Sequence, residues 1–197
     1  MCKSYSLINP LSYHNYSALV SDCAANKKCT GEQLPDRIEA TKINAQRISR
    51  IYKTYIPSYK ITELVRSISS QMDWIIIAES WCGDAAQNVP IIAKLAELNS
   101  KINLKIILRD ENLLIMDWHL TNGSRSIPKL IFIDQNTGKL IMEWGPRPSG
   151  IQKLVKEFKT EHPTASHDEF VKNLHLWYAK DRGLSLEEDL IFLFSKK

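Results

Sequence analysis

A chain of 197 residues, 44% apolar and 24% charged, has the size and composition of one globular domain with extensions. Its net charge of +4 comes from 26 basic and 22 acidic residues, scattered without a basic block or an aromatic-basic repeat, which argues against nucleic acid as a partner. Apolar runs such as IIIA at 75–78 and LIFLF at 190–194 fall far short of the ~20 residues that span a bilayer, and the first thirty residues lack a secretory pattern; a cytoplasmic location and no membrane partner are expected.

Between 34 and 55, Ile38, Ala45, Ile48, Ile51, Tyr52 and Tyr55 keep close to the spacing of one helical face, with Pro35 suited to the first turn and Pro57 closing the segment. A shorter helix is expected over 61–69. The pattern then changes to short apolar runs at 74–80 and 102–110, separated by a helical stretch over 84–99, which predicts a parallel strand pair with a crossover. Runs at 129–134 and 139–144, joined by QNTG, predict a hairpin and therefore a mixed sheet. A helix is expected over 149–160, and two more after Pro163: one capped by Ser166 or Asp168 and ending near Gly183, the next starting at Ser185. Phe170, Leu174 and Trp177 are assigned to packing. The expected organisation is a helical N-terminal extension over 1–70, a core over 71–160 and a helical C-terminal extension over 161–197, all in one compact domain.

The four cysteines, Cys2, Cys23, Cys29 and Cys82, have irregular spacing and no disulfide framework. Cys82 stands apart. A strand ending at Ser80, then WCGDA, then a helix, puts this thiol at a helix N-terminus, where free amides and the dipole favour the thiolate and can carry its pKa below the ~8.5 of free cysteine. The competing interpretation is a small buried hydrophobe. The five histidines show no ligand spacing with cysteines or acids, so no metal is expected.

Trp81-Cys82-Gly83, Pro90 within the following helix, the strand at 102–108 and SRSIPKLIFID at 124–134 together resemble the thioredoxin family over about residues 71–160. The resemblance implies an α/β fold, a thioredoxin-like three-layer α/β/α sandwich with a mixed sheet. It also implies a cis peptide before Pro128, with the backbone of Ile127 offered to an extended substrate segment along a shallow groove. Departures from the family pattern are equally specific. Ala85 stands in place of the second cysteine, so no dithiol can close within the motif, and Ile76 replaces the buried aspartate that serves that second thiol. Asp84, in place of the motif proline, suits a first helical turn but would repel a neighbouring thiolate; Glu79 adds to that repulsion if it points the same way, and Lys129 is the candidate to offset it.

The resemblance therefore implies single-thiol chemistry. Cys82 would exchange with protein or small-molecule disulfides, with glutathione or another low-molecular-weight thiol as co-substrate and no bound cofactor. Trp81, Gly83, Asp84 and Ala85 shape the motif, and Ile127 and Pro128 line the groove. The alternative keeps the fold as a non-catalytic binding module or redox sensor using the groove beside Pro128. Cys2, Cys23 and Cys29 stand as candidate resolving thiols, subject to the Cα separation of about 7 Å that a disulfide allows. An iron-sulfur role is disfavoured because CGDA differs from CGFS, and a peroxidase role because Glu79 occupies the threonine position three residues before Cys82.

Overall fold

The computed structural model describes residues 5–196 and divides into two compact units between Pro146 and Arg147. In the first unit, α1 (Tyr13–Ala25), α2 (Pro35–Thr54) and α3 (Tyr59–Arg66) precede β1 (Met72–Ala78), α4 (Gly83–Ala96), β2 (Ile102–Leu108), the short α5 (Leu113–Asp117), and the hairpin β3 (Lys129–Asp134) and β4 (Leu140–Trp144). The four strands form one sheet in the order β2-β1-β3-β4. β1 runs parallel to β2 and antiparallel to β3, which pairs antiparallel with β4. This is the expected mixed sheet, and the chain adopts the expected thioredoxin-like α/β class.

Sequence explains the layering. β1 is central and reads as a continuous apolar run because both of its faces are covered: Trp74, Ile76, Ile77 and Ala78 are fully buried. Trp74 meets Phe132 of β3 edge to face at 5.1 Å between ring centroids. α4 carries Pro90 and has twelve of its fourteen residues buried, so it too is enclosed rather than amphipathic. α2 packs against α4, and α1 against α2.

α1 lies in a segment for which no helix was expected. Ser12 caps it by accepting the Asn15 N–H at 3.2 Å, and its buried positions Tyr16, Val20 and Cys23 follow a four-then-three spacing. Two of those three residues are an aromatic and a cysteine, which a count of aliphatic residues passes over. Just before it, Leu11 extends the sheet beyond β2 through reciprocal bonds with Ile106, each 2.8 Å. α5, a single short turn, was also not foreseen. β1 stops at Ala78, two residues before the expected Ser80, because Glu79 and Ser80 turn their polar groups onto other segments.

The second unit holds α6 (Ser149–Glu161), α7 (His167–Asp181) and α8 (Leu184–Ser195). α6, counted with the core in the sequence reading, groups here with the two C-terminal helices. Its small core is Ile151, Leu174 and Tyr178, with Val155, Phe170 and Trp177 packed on it. Ser166 caps α7 by accepting the Glu169 N–H at 3.2 Å. Asp189 of α8 accepts the Ser149 N–H at 2.8 Å, which ties α8 to the start of α6.

Candidate functional site

Cys82 is the N-cap of α4. Its backbone is extended (φ −78°, ψ 114°), its carbonyl accepts the Ala86 N–H at 3.0 Å, and its sulfur lies 3.4 Å from the Ala85 N–H, the donor that an N-cap side chain normally satisfies. The thiol therefore sits where the free amides and dipole of a fourteen-residue helix converge. Across from it, the Sγ donates to the carbonyl of Ile127 at 3.3 Å, and the Ile127–Pro128 peptide bond is cis. Trp81, Cys82, Gly83, Asp84, Ala85, Ile127 and Pro128 are thus collected at one end of the sheet, with Cys82 8% exposed.

The wall behind Pro128 is fixed by Gly145. That residue has φ +119°, and a Cβ there would lie 2.3 Å from the Pro128 carbonyl oxygen, so only glycine lets β4 end this close to the proline loop. Lys129 does not face the acid groups near Cys82, contrary to the charge offset considered from sequence. Its buried ammonium pairs with Glu143 at 2.9 Å and donates to Thr121 Oγ1 at 3.3 Å. Glu143 also meets His119 Nδ1 at 2.7 Å. Burial raises the Glu143 pKa, but the hydrogen bonds from His119 and Lys129 outweigh it, and the net shift is downward.

Beneath the motif lies a buried polar floor that sequence reasoning missed. Thr30, in the loop between α1 and α2, donates its hydroxyl to the Glu79 carboxylate and accepts the Ser80 N–H at 2.9 Å, while its own N–H reaches Ser80 Oγ at 2.9 Å. Thr41 shares a 2.9 Å bond with the same Ser80 hydroxyl, and Asn44 Nδ2 donates to the Ser80 carbonyl at 2.9 Å. The second oxygen of Glu79 accepts the Asp110 N–H at 2.9 Å. Glu79 therefore turns into the protein, and burial pushes its pKa up. Tyr16 closes the layer by donating to the Glu79 carbonyl at 3.3 Å; burial, then the charge of Cys82, raises its pKa well above the usual phenol. The loop holding Thr30 takes its shape from Gly31, whose φ is +68° and whose missing Cβ would meet Asp110 Oδ2 at 2.5 Å. The Thr-Gly pair before a helix was the one signal in the sequence for this loop. Nothing in a linear reading joined residue 30 to residue 80.

Near the floor, two guanidinium groups lie over the Trp81 ring, Arg37 at 4.4 Å and Arg109 at 4.9 Å from its centroid. Asp84 and Ala85 are buried in the first turn of α4, and Asn88 Nδ2 donates to the Asp84 carbonyl at 2.8 Å. Cys23, Cys29 and Cys82 are free thiols, and Cys2 lies outside the described residues. Burial pushes the Cys23 and Cys29 pKa values up, and the Cys29 thiol donates to the Glu32 carbonyl at 3.1 Å. Among the described residues no cluster of metal-ligating side chains occurs, and no helix is long and apolar enough to cross a membrane.

Comparison with known proteins agrees with this architecture. A family model described as thioredoxin matches residues 31–159. The crystal structure of a protein of unknown function from Pseudomonas aeruginosa is similar at a TM-score of 0.59 and 18% identity, covering 94% of this chain and 98% of its own. An HIV epitope scaffold is similar at a TM-score of 0.53 and 17% identity, covering 95% and 99%. At these identities the likeness concerns the fold. No curated protein matches.

Proposed function

The chain belongs to the thioredoxin family, and from that premise we propose that Cys82 is a single working thiol that exchanges with disulfides in the cytoplasm. The observation that carries the reading is the position of the Cys82 sulfur, at the N-cap of α4 and 3.3 Å from the Ile127 carbonyl beside a cis proline. The helix end stabilises the thiolate. The Cys82 thiolate attacks one sulfur of a disulfide; a new S–S bond to Cys82 forms, the substrate bond breaks, and the departing half leaves as a thiolate that takes a proton from water. Because Ala85 carries no thiol, a second, external thiolate then attacks the mixed disulfide and releases Cys82 in its starting form. Ile127 and Pro128 position the partner, and Trp81 and Gly83 shape the motif.

The test is intact mass after incubation with oxidised glutathione, on wild type and Cys82→Ser, with alkylation rates followed against pH. The expected result is one glutathionyl adduct, absent in Cys82→Ser and removed by a reductant. Cys23 and Cys29, whose pKa values burial raises, should alkylate more slowly at neutral pH. A Cys82 that alkylates no faster than these two and forms no adduct would overturn the reading. The 8% exposure of Cys82 favours a second reading in that event, a binding module in which the groove beside Pro128 holds a partner without turnover.

A further inference from the structure

The residue next to the working thiol carries donors that the fold leaves unused. Arg37 stacks on Trp81 at 4.4 Å, and among the described residues its one ion-pair partner is Glu32 at 3.7 Å, too long for a hydrogen bond. Its guanidinium makes no hydrogen bond among the described residues, although only 24% of the side chain is exposed. Among the described residues the buried Trp81 Nε1–H has no hydrogen-bond partner, an arrangement that normally costs free energy. Arg109, also over the ring at 4.9 Å, is already committed to Asp110 at 2.8 Å. Of the nearby acid groups, Glu79 is bonded to Thr30 and to the Asp110 N–H, Asp110 is paired with Arg109, and Asp84 is buried in the first turn of α4.

We infer that Arg37, held by Trp81, receives a carboxylate on a small disulfide substrate, so that Cys82 prefers anionic disulfides to neutral or cationic ones. This rests on Cys82 being the working thiol. A planar guanidinium presents paired N–H donors that fit a carboxylate, and its stacking on an indole fixes that fork in advance. Glu32, exposed and beyond hydrogen-bond range, is readily displaced by such a group.

The experiment compares three small disulfides that differ in charge: 3,3′-dithiodipropionate, bis(2-hydroxyethyl) disulfide and cystamine. The rate constant of mixed-disulfide formation at Cys82 is measured for wild type, Arg37→Gln, Arg37→Lys and the remote exposed Lys60→Gln, which matches the change in net charge. Expected are an anionic-to-neutral rate ratio that falls about tenfold in Arg37→Gln, a partial fall in Arg37→Lys, no change in Lys60→Gln, and a wild-type ratio that shrinks at high salt. A ratio unchanged in Arg37→Gln, or a uniform loss with all three disulfides, overturns this inference while reaction with the neutral disulfide upholds the role of Cys82. No reaction with any disulfide overturns both.

Discussion

Thr30→Val removes one hydroxyl from the floor of the site and keeps the side-chain shape. In the native fold that oxygen accepts the Ser80 N–H and donates to Glu79, which is fully buried. The variant leaves a buried N–H without a partner, worth about 1–3 kcal/mol, and strips a charge-assisted bond from a buried carboxylate, worth about 1.5–3 kcal/mol. The loss at neutral pH should therefore be about 4 kcal/mol, a large share of the ~5–15 kcal/mol that stabilises a typical domain. Its pH dependence has a definite sign. Burial raises the Glu79 pKa, so above the unfolded value the folded state holds the proton more tightly, and stability falls as pH rises through the folded value. The Thr30 bond pulls that pKa back down; without it the falling limb reaches to higher pH. Near pH 4, where an unfolded glutamate is about half protonated, the variant should lose only about 2 kcal/mol, chiefly from Ser80. Urea denaturation followed by circular dichroism near pH 4 and at pH 7 measures both losses. Equal losses at the two pH values, or a loss below about 1 kcal/mol at pH 7, would refute the role given to Thr30.

Glu143→Gln should leave the Lys129 ammonium, whose side chain is 5% exposed, with its Thr121 bond but without a counter-charge, and cost about 2 kcal/mol at neutral pH, less than the ~3–5 kcal/mol of a fully buried pair because Glu143 is 36% exposed. The folded Glu143 pKa is lowered, so its contribution is present above the unfolded value and lost as pH falls through the folded one; the variant should flatten that acid limb in chemical denaturation, and an unaltered limb would count against the pairing. Ala85→Cys restores a thiol one helical turn from Cys82, at a position whose N–H already lies 3.4 Å from the Cys82 sulfur. Mild oxidation should then remove two hydrogens by mass and block Cys82 alkylation, whereas two freely alkylating thiols after oxidation would contradict the geometry. The added sulfur enters a fully buried site, so about 1–3 kcal/mol of stability should be lost alongside.

The parts of the fold that a linear reading recovered are those with strong local periodicity. β1, β2, the β3–β4 hairpin and α2 announce themselves as apolar runs or a helical face, and WCG followed by IPK marks both sides of the thiol. α1 was not legible because its buried stripe is Tyr16, Val20 and Cys23 rather than aliphatic. The polar floor was not legible either, since Thr30, Thr41, Asn44 and Ser80 are ordinary polar residues whose meaning arises only from contacts across 36 to 50 positions. Lys129 shows the converse limit. Its place after the proline was plain, but its partner Glu143 depends on the hairpin register, which pairs Ile131 with Glu143 and brings β4 beside the proline loop.

The enclosure of α4 has a bearing on how this thiol can be tuned. With twelve of fourteen positions buried, Gly83 and Lys94 alone on that helix are partly exposed, and a new side chain at any of the other twelve would repack the interior. Natural drift or laboratory selection acting on Cys82 therefore has little room within its own helix. Change must enter through the loop at 28–33, through Arg37 on α2, or through the strand ends, so diversification of this site would appear in alignments and in selected libraries as substitutions remote from the motif.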